Sequence, residues 1–242
     1  MNATIYLVRH GEIEHHRTDV SLTARGREQA GAVGRALTSR IGQGEAVFIF
    51  HSPVTRVRET AELAREALRM GLRVEGVTLH SPELDVALSN VRFVVSPEQG
   101  PEEPSLVYAR INAPAYLSAL PPARAAFYRG FWDSPDPMGY WLTHPSDGGA
   151  ETPECVLGRL LTRLREILTD GKLYEVRTHW IMVTHSGAMR ALLRHAFGAD
   201  PGEPNFCEIV VIEPSESLSG VTLVYRNRTI PLNLAEVSSA PK

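Results

Sequence analysis

Three apolar stretches of this chain each run into a histidine. Ile5-Tyr6-Leu7-Val8 leads into Arg9-His10-Gly11-Glu12, Val47-Phe48-Ile49-Phe50 into His51-Ser52-Pro53-Val54-Thr55-Arg56, and Trp180-Ile181-Met182-Val183-Thr184 into His185-Ser186-Gly187. A neutral imidazole is a nucleophile for phosphorus, and arginine brings permanent charge and a fork of donors for phosphate oxygens. A buried strand delivering Arg9 and His10 to a cleft at its C-terminal end, with Gly11 freeing the backbone to turn, has the parts for covalent phosphoryl chemistry on a histidine. Arg56 adds to this. Ser52 reads as an N-cap and Pro53 as the first position of a helix running to about Met70, which puts Arg56 in the first turn. A cation is unfavourable at that end of the macrodipole, so an arginine there points to a bound anion.

The elements that must position these residues alternate between apolar runs and helical periodicity, the pattern of a doubly wound, mostly parallel α/β sheet flanked by helices. Gly26 to Ile41 reads as a helix with Ala30, Val33, Leu37 and Ile41 on one face, and Val74 to Leu79 as a strand. Glu154 to Leu168 reads as a helix capped by Thr152 with Pro153 at its first position, and a further helix follows His185 as far as Phe197. Ile209 to Glu213 and Val221 to Arg226 read as an antiparallel pair at the sheet edge, and Val237 to Lys242 as a loose tail.

Between about residues 86 and 150 the composition changes. The stretch from Ser96 to Ala150 holds nine of the seventeen prolines and eight of the aromatic residues, among them Phe127, Phe131, Trp132 and Trp141, which argues against disorder and for a cap inserted over the strand ends. Helical segments are expected near Ser105 to Ala113 and Ala123 to Phe131. The aromatics suit either a substrate pocket or a homodimer contact. Arg110, Arg124 and Arg129 are the cap's places for a second anionic contact. The whole, residues 1–242, reads as one domain carrying this insertion.

Composition narrows the partners. A net charge of −3 gives no electrostatic footprint for nucleic acid or for a membrane surface, so an anionic substrate must be drawn by local arginines. No window holds the about 18 uninterrupted apolar residues of a membrane span, and the first residues lead straight into a strand, so a cytoplasmic location is expected. Cys155 and Cys207 are far apart, lack metal-ligand spacing and read as reduced thiols.

The blocks around Arg9-His10-Gly11, Asp19 to Ala30, Arg56 to Ala61 and Val183 to Arg190, in that order, resemble the histidine phosphatase superfamily, which includes the cofactor-dependent phosphoglycerate mutases. The resemblance implies an α/β fold and a phosphoryl-transfer site on His10. Members commonly carry a catalytic glutamate two residues after a leucine following the third strand; in Ser81-Pro82-Glu83-Leu84-Asp85-Val86 that place is Val86. A poor leaving group needs a proton from a carboxyl of raised pKa. Asp85 is the first candidate for that donor and Glu83 the second; with neither acting, only good leaving groups such as aryl phosphates or phosphohistidine would serve. Gly148-Gly149-Ala150-Glu151-Thr152 is similar to a segment of the family that brings its glutamate, here Glu151, to the pocket rim.

The expected mechanism is attack of His10 on phosphorus, with Arg9, Arg56 and His185 around the phosphoryl group, then hydrolysis of the phosphohistidine, without metal or cofactor. Gly11, Glu12, His51, Glu151 and Ser186 are expected substrate contacts; His51 can alternatively cap its strand, and Glu151 can complement a helix dipole. His15 and His16 lie nearest in the chain to the site. Hydrolysis of a small phosphorylated substrate is favoured over the mutase reaction, because Leu84 to Asn90 lacks the arginine, tyrosine and glycine of mutase relatives. A phosphohistidine-directed signalling phosphatase and a non-catalytic phosphate-binding scaffold are the other readings.

Overall fold

The computed structural model describes residues 2–96, 98–170, 173–215 and 220–234. In chain order its elements are β1 (Ala3–Arg9), α1 (Ala24–Leu37), β2 (Ala46–His51), α2 (Thr55–Gly71), β3 (Thr78–Leu79), β4 (Glu83–Leu84), β5 (Phe93–Val94), β6 (Pro101–Glu102), α3 (Pro104–Ile111), α4 (Pro114–Ala119), α5 (Pro122–Asp133), α6 (Pro137–Thr143), α7 (Pro153–Asp170), β7 (Thr178–Thr184), α8 (Ser186–Phe197), β8 (Ile209–Pro214), β9 (Val221–Tyr225) and β10 (Arg228–Leu232). The main sheet has the order β10-β9-β8-β1-β7-β2-β3, with β4 also on β2. β1, β7, β2, β3 and β4 are parallel, and β8, β9 and β10 continue the sheet antiparallel from β1. All seven residues of β1 and of β7 are buried, as expected of parallel strands covered on both faces.

Period-two alternation divides the core. Ile5 and Leu7 join a cluster with α7, α8 and the cap, while Tyr6 and Val8 join one with α1 and α2 on the opposite face. The two helices of that second face touch at Gly34, where an added Cβ would lie 2.1 Å from the Ala64 carbonyl oxygen. Gly34→Ala should therefore destabilise the protein by about 2 kcal/mol, an overpacking cost partly offset by better helix propensity. That lowers Tm by about 4–8 °C in a chain of this size, read by thermal unfolding; an unchanged Tm would mean the helices separate freely.

Several boundaries differ from the sequence reading for identifiable reasons. α1 starts two residues earlier, with the Thr23 side chain accepting from Gly26 N–H, and ends at Leu37 in a single 3-10 turn, Thr38–Arg40. α2 starts at Thr55 behind Val54, not at Ser52, because the Ser52 hydroxyl is bonded to His185. The strand expected from Val74 shrinks to β3, since the turn at Gly76 has φ +73°. β10 escaped notice because the turn before it is Arg226-Asn227, both with positive φ, and because Pro231 reads as a strand breaker. The tail expected over Val237 to Lys242 lies outside the described residues.

The cap spans the short 3-10 turn Val86–Leu88, the β5–β6 ribbon and α3 to α6. Its prolines open helices: Pro104, Pro114, Pro122 and Pro137 each begin one. Phe93, Phe127, Tyr128, Phe131 and Trp141 are buried and continuous with the core under α7 and α8, so most of the cap's aromatic content holds the cap to the sheet. No cap aromatic is among the exposed large apolar side chains of the described residues. No described helix is long and apolar enough to cross a membrane.

Candidate active site

β1, β2 and β7 end along one edge of the sheet, where Arg9, His10, Arg56 and His185, at or just after those ends, meet. The His10 N–H donates to the Thr184 carbonyl, and Cys207 N–H donates to the Arg9 carbonyl at 3.1 Å, which fixes the end of β1 from both sides. His10 Nδ1 lies 2.8 Å from the Gly11 carbonyl oxygen. A carbonyl only accepts, so Nδ1 carries the proton and Nε2 keeps its lone pair. Gly11 is required here: a Cβ would fall 2.5 Å from the Gly26 carbonyl oxygen, where the loop leans on the start of α1. Its N–H donates to Thr60 Oγ1.

The second histidine, His185, sits just before α8. Arg56 Nη2 approaches its Nδ1 at 3.5 Å, so the proton is on Nε2, which donates to Ser52 Oγ at 2.7 Å. Arg56 is 2% exposed. Its guanidinium donates to Glu103 Oε1 at 2.6 Å and to Ser105 Oγ at 3.3 Å, and Asp19 lies 3.7 Å away. Arg9 donates to the Pro204 carbonyl, pairs with Glu203 at 2.9 Å and covers the Phe206 ring. The Nε–H groups of both arginines are buried without a partner among the described residues. Orphaned buried donors of this kind are rare in folded proteins and call for an acceptor.

Electrostatics keep the imidazoles neutral. Burial, then the nearby Arg56, holds both His10 and His185 well below the usual histidine pKa. Glu103 goes the other way: burial pushes its carboxyl up, against the pull of Arg56. The rings of His10 and His185 lie 5.4 Å apart, centroid to centroid. Above them is a cavity of about 280 Å³ walled by the cap through Glu103, Ser105, Phe131, Trp132 and Met138.

Of the residues the sequence singled out, Arg9, His10, Arg56, His185 and Ser186 line this cavity. Glu12 turns aside to accept from Thr23 Oγ1 at 3.0 Å, and His51 Nδ1 donates to the Ser52 carbonyl oxygen at the end of β2; neither is on the wall. Asp85 and Glu83 are not there either. Asp85 caps the turn at Ala87 and is held 2.5 Å from Arg163 of α7, and Glu83 is exposed on β4; both border a separate groove against α7. Glu151 is not at the rim: it sits between Arg92 and Arg159, 2.6 Å from each, and fastens the cap to α7. Sequence reasoning missed Glu103, Ser105 and Asn90 on the cavity wall, and Ser52 as the partner of His185. The available signal at Glu103 was a carboxylate before a helix-opening proline, which reads as an ordinary complement to the dipole of α3. Of His15 and His16, which the sequence allows either to touch substrate or to be solvated, His16 lines the cavity, its ring 6.2 Å from that of His10. Among the described residues no three histidine, cysteine, aspartate or glutamate side chains converge as a metal-ligand set.

No curated protein matches the chain. Solved structures do. A mycobacterial hydrolase is 18% identical with a TM-score of 0.55, covering 93% of this chain and 98% of its own. A mycobacterial glucosyl-3-phosphoglycerate phosphatase in complex with VO3 is 18% identical with a TM-score of 0.54, covering 92% and 97%. A mutant phosphoserine phosphatase from Entamoeba histolytica in complex with phosphoserine is 14% identical with a TM-score of 0.52, covering 97% and 99%. At such identities the likeness is one of fold. The sequence model of the histidine phosphatase superfamily, branch 1, matches residues 5–76 and 127–225. The unmatched interval contains Glu103, Pro104 and Ser105 of the wall, whereas Arg9, His10, Arg56 and His185 all fall inside the match. With that match spanning well over half of its length, the chain belongs to branch 1 of the histidine phosphatase superfamily.

Proposed function

We propose that the protein hydrolyses a phosphomonoester through a phosphohistidine on His10. The observation that carries this is the protonation pattern of His10: Nδ1 is tied to the Gly11 carbonyl and the ring is held neutral, so Nε2 is an available nucleophile beside two arginines with unpartnered Nε–H groups. Nε2 attacks phosphorus as the ester oxygen leaves. Arg9 and Arg56 take the equatorial oxygens, where charge gathers in a loose transition state, and His185 stands on the same side. Glu103, the carboxyl of raised pKa in the cavity, gives its proton to the departing oxygen. Its carboxylate then takes a proton from the water that attacks the phosphohistidine, which returns His10 and Glu103 to their starting states. An acid in the cavity also favours alkyl esters as substrates over the acid-free chemistry of a phosphohistidine-directed enzyme.

Stereochemistry at phosphorus tests the covalent step. Two in-line displacements give net retention with a chiral, isotope-labelled phosphate ester, and rapid acid-free quenching should trap a phosphoryl group on His10, with turnover unaffected by a chelator. Inversion would mean direct attack by water and would overturn the proposal.

A further inference from the structure

The upper wall of the cavity is apolar. Pro104, Phe131, Trp132, Pro135, Pro137 and Met138 form it, and none carries charge. The charged side chains on the lining are the carboxylates of Asp136 and Glu203 and the guanidiniums of Arg9 and Arg56, with the Glu103 carboxyl beside them as the proton donor. A phosphoryl dianion at His10 would occupy both guanidiniums. Of the nearby cations among the described residues, Arg190 is buried and already shared by Asp136, Asp200 and Glu203, and Arg159 is held by Glu151. Among the described residues no cation of the lining is then left for a second negative group, and Asp136 and Glu203, with side chains 49% and 41% exposed, would repel one. The cap arginines expected to supply a second anionic contact are elsewhere. Arg110 pairs with Glu102 and Gln99, Arg124 donates to the Asp147 carbonyl, Arg129 is exposed, and none reaches the lining. Arg17 lies over the Tyr108 ring, also off the lining.

We infer that the substrate is the phosphate ester of an uncharged alcohol or phenol with an apolar, ring-sized body, and that phosphorylated carboxylic acids, bisphosphates and nucleotides are rejected. The inference rests on the phosphatase reading of the same site. The ring of Phe131 or Trp132 offers the leaving group a flat contact, and the cavity of about 280 Å³ is at the small end of ligand sites, which suits one ring and its phosphate.

A matched pair tests it: benzyl phosphate against 4-carboxybenzyl phosphate for kcat/KM, and the two corresponding non-hydrolysable phosphonates for Kd by calorimetry. The uncharged member should be favoured by about 30-fold in kcat/KM and about tenfold in Kd. Trp132→Arg, or Met138→Lys should that variant not fold, supplies the missing cation and should shrink the preference at least about fivefold. Turnover of both esters with equal or reversed preference would overturn the substrate class and leave the hydrolase standing. Discrimination between the phosphonates with no turnover of either ester would do the opposite.

Discussion

His10→Ala should lose at least about 10⁴-fold in kcat/KM toward any phosphomonoester the protein turns over, while binding inorganic phosphate within a few-fold of the parent. The asymmetry follows from what each group supplies. On the proposed mechanism the anion is held by Arg9, Arg56 and the surroundings of His185, none of which depends on the His10 side chain for its position: Arg9 is fixed by Pro204 and Glu203, and Arg56 by Glu103 and Ser105. What His10 alone supplies is the Nε2 lone pair. Arg56→Ala should behave differently, weakening both turnover and anion binding, because it removes the donor that faces the phosphate and leaves the buried Glu103 unpaired. Measuring turnover and the affinity for inorganic phosphate on both variants separates the roles. If His10→Ala kept more than about a hundredth of the activity, the covalent mechanism would be wrong and water would be the nucleophile.

The parts of this site that the sequence made legible are those whose position is fixed by a strand end. Arg9, His10 and His185 each follow an uninterrupted apolar run, and parallel strands of one sheet must release their C-terminal residues along the same edge. Arg56 was legible through its place in a helix's first turn, although the turn begins later than Ser52 suggested, since the Ser52 hydroxyl is engaged by His185 instead of capping α2. Glu103 was not legible. It reaches Arg56 because a two-stranded ribbon and the start of α3 fold back over the sheet, and no local periodicity records that return. Asp85 and Glu83 drew attention through nearness in sequence to β3, but Arg163 on α7 holds Asp85 on the far side of the chain's path. The cap's aromatics were ambiguous for a similar reason. The same composition serves a core, a pocket or an interface, and here Phe93, Phe127, Tyr128 and Trp141 are core while Phe131 and Trp132 also face the cavity.

Glu103→Gln is the variant that separates an acid catalyst from a carboxylate that merely pairs with Arg56. In the empty cavity Arg56 pulls the Glu103 pKa down and burial pushes it up, with burial the larger effect. When a phosphate dianion arrives, Arg56 is drawn to it and a negative charge stands beside the carboxyl, so both changes favour the protonated form. Rate then requires His10 neutral, which holds above its lowered pKa, and Glu103 protonated, which holds below its raised one. The profile of kcat/KM against pH is a bell whose acid limb lies below the usual histidine range and whose alkaline limb lies above the usual carboxylate range. Glutamine keeps the shape and cannot donate to an alkoxide. Turnover of an alkyl phosphate should fall by about 10²–10⁴-fold, turnover of para-nitrophenyl phosphate should fall far less in its first step, and the alkaline limb should vanish. Because Glu103 also activates the second water, the phosphohistidine should accumulate with the aryl substrate. Asp85→Asn and Glu83→Gln, remote from the cavity, should leave all of these features in place. Equal losses on alkyl and aryl esters with an unaltered alkaline limb would assign Glu103 to holding Arg56 alone, and the proton for the leaving group would have to come from another residue on the wall, such as His16, whose ring lies 6.2 Å from that of His10.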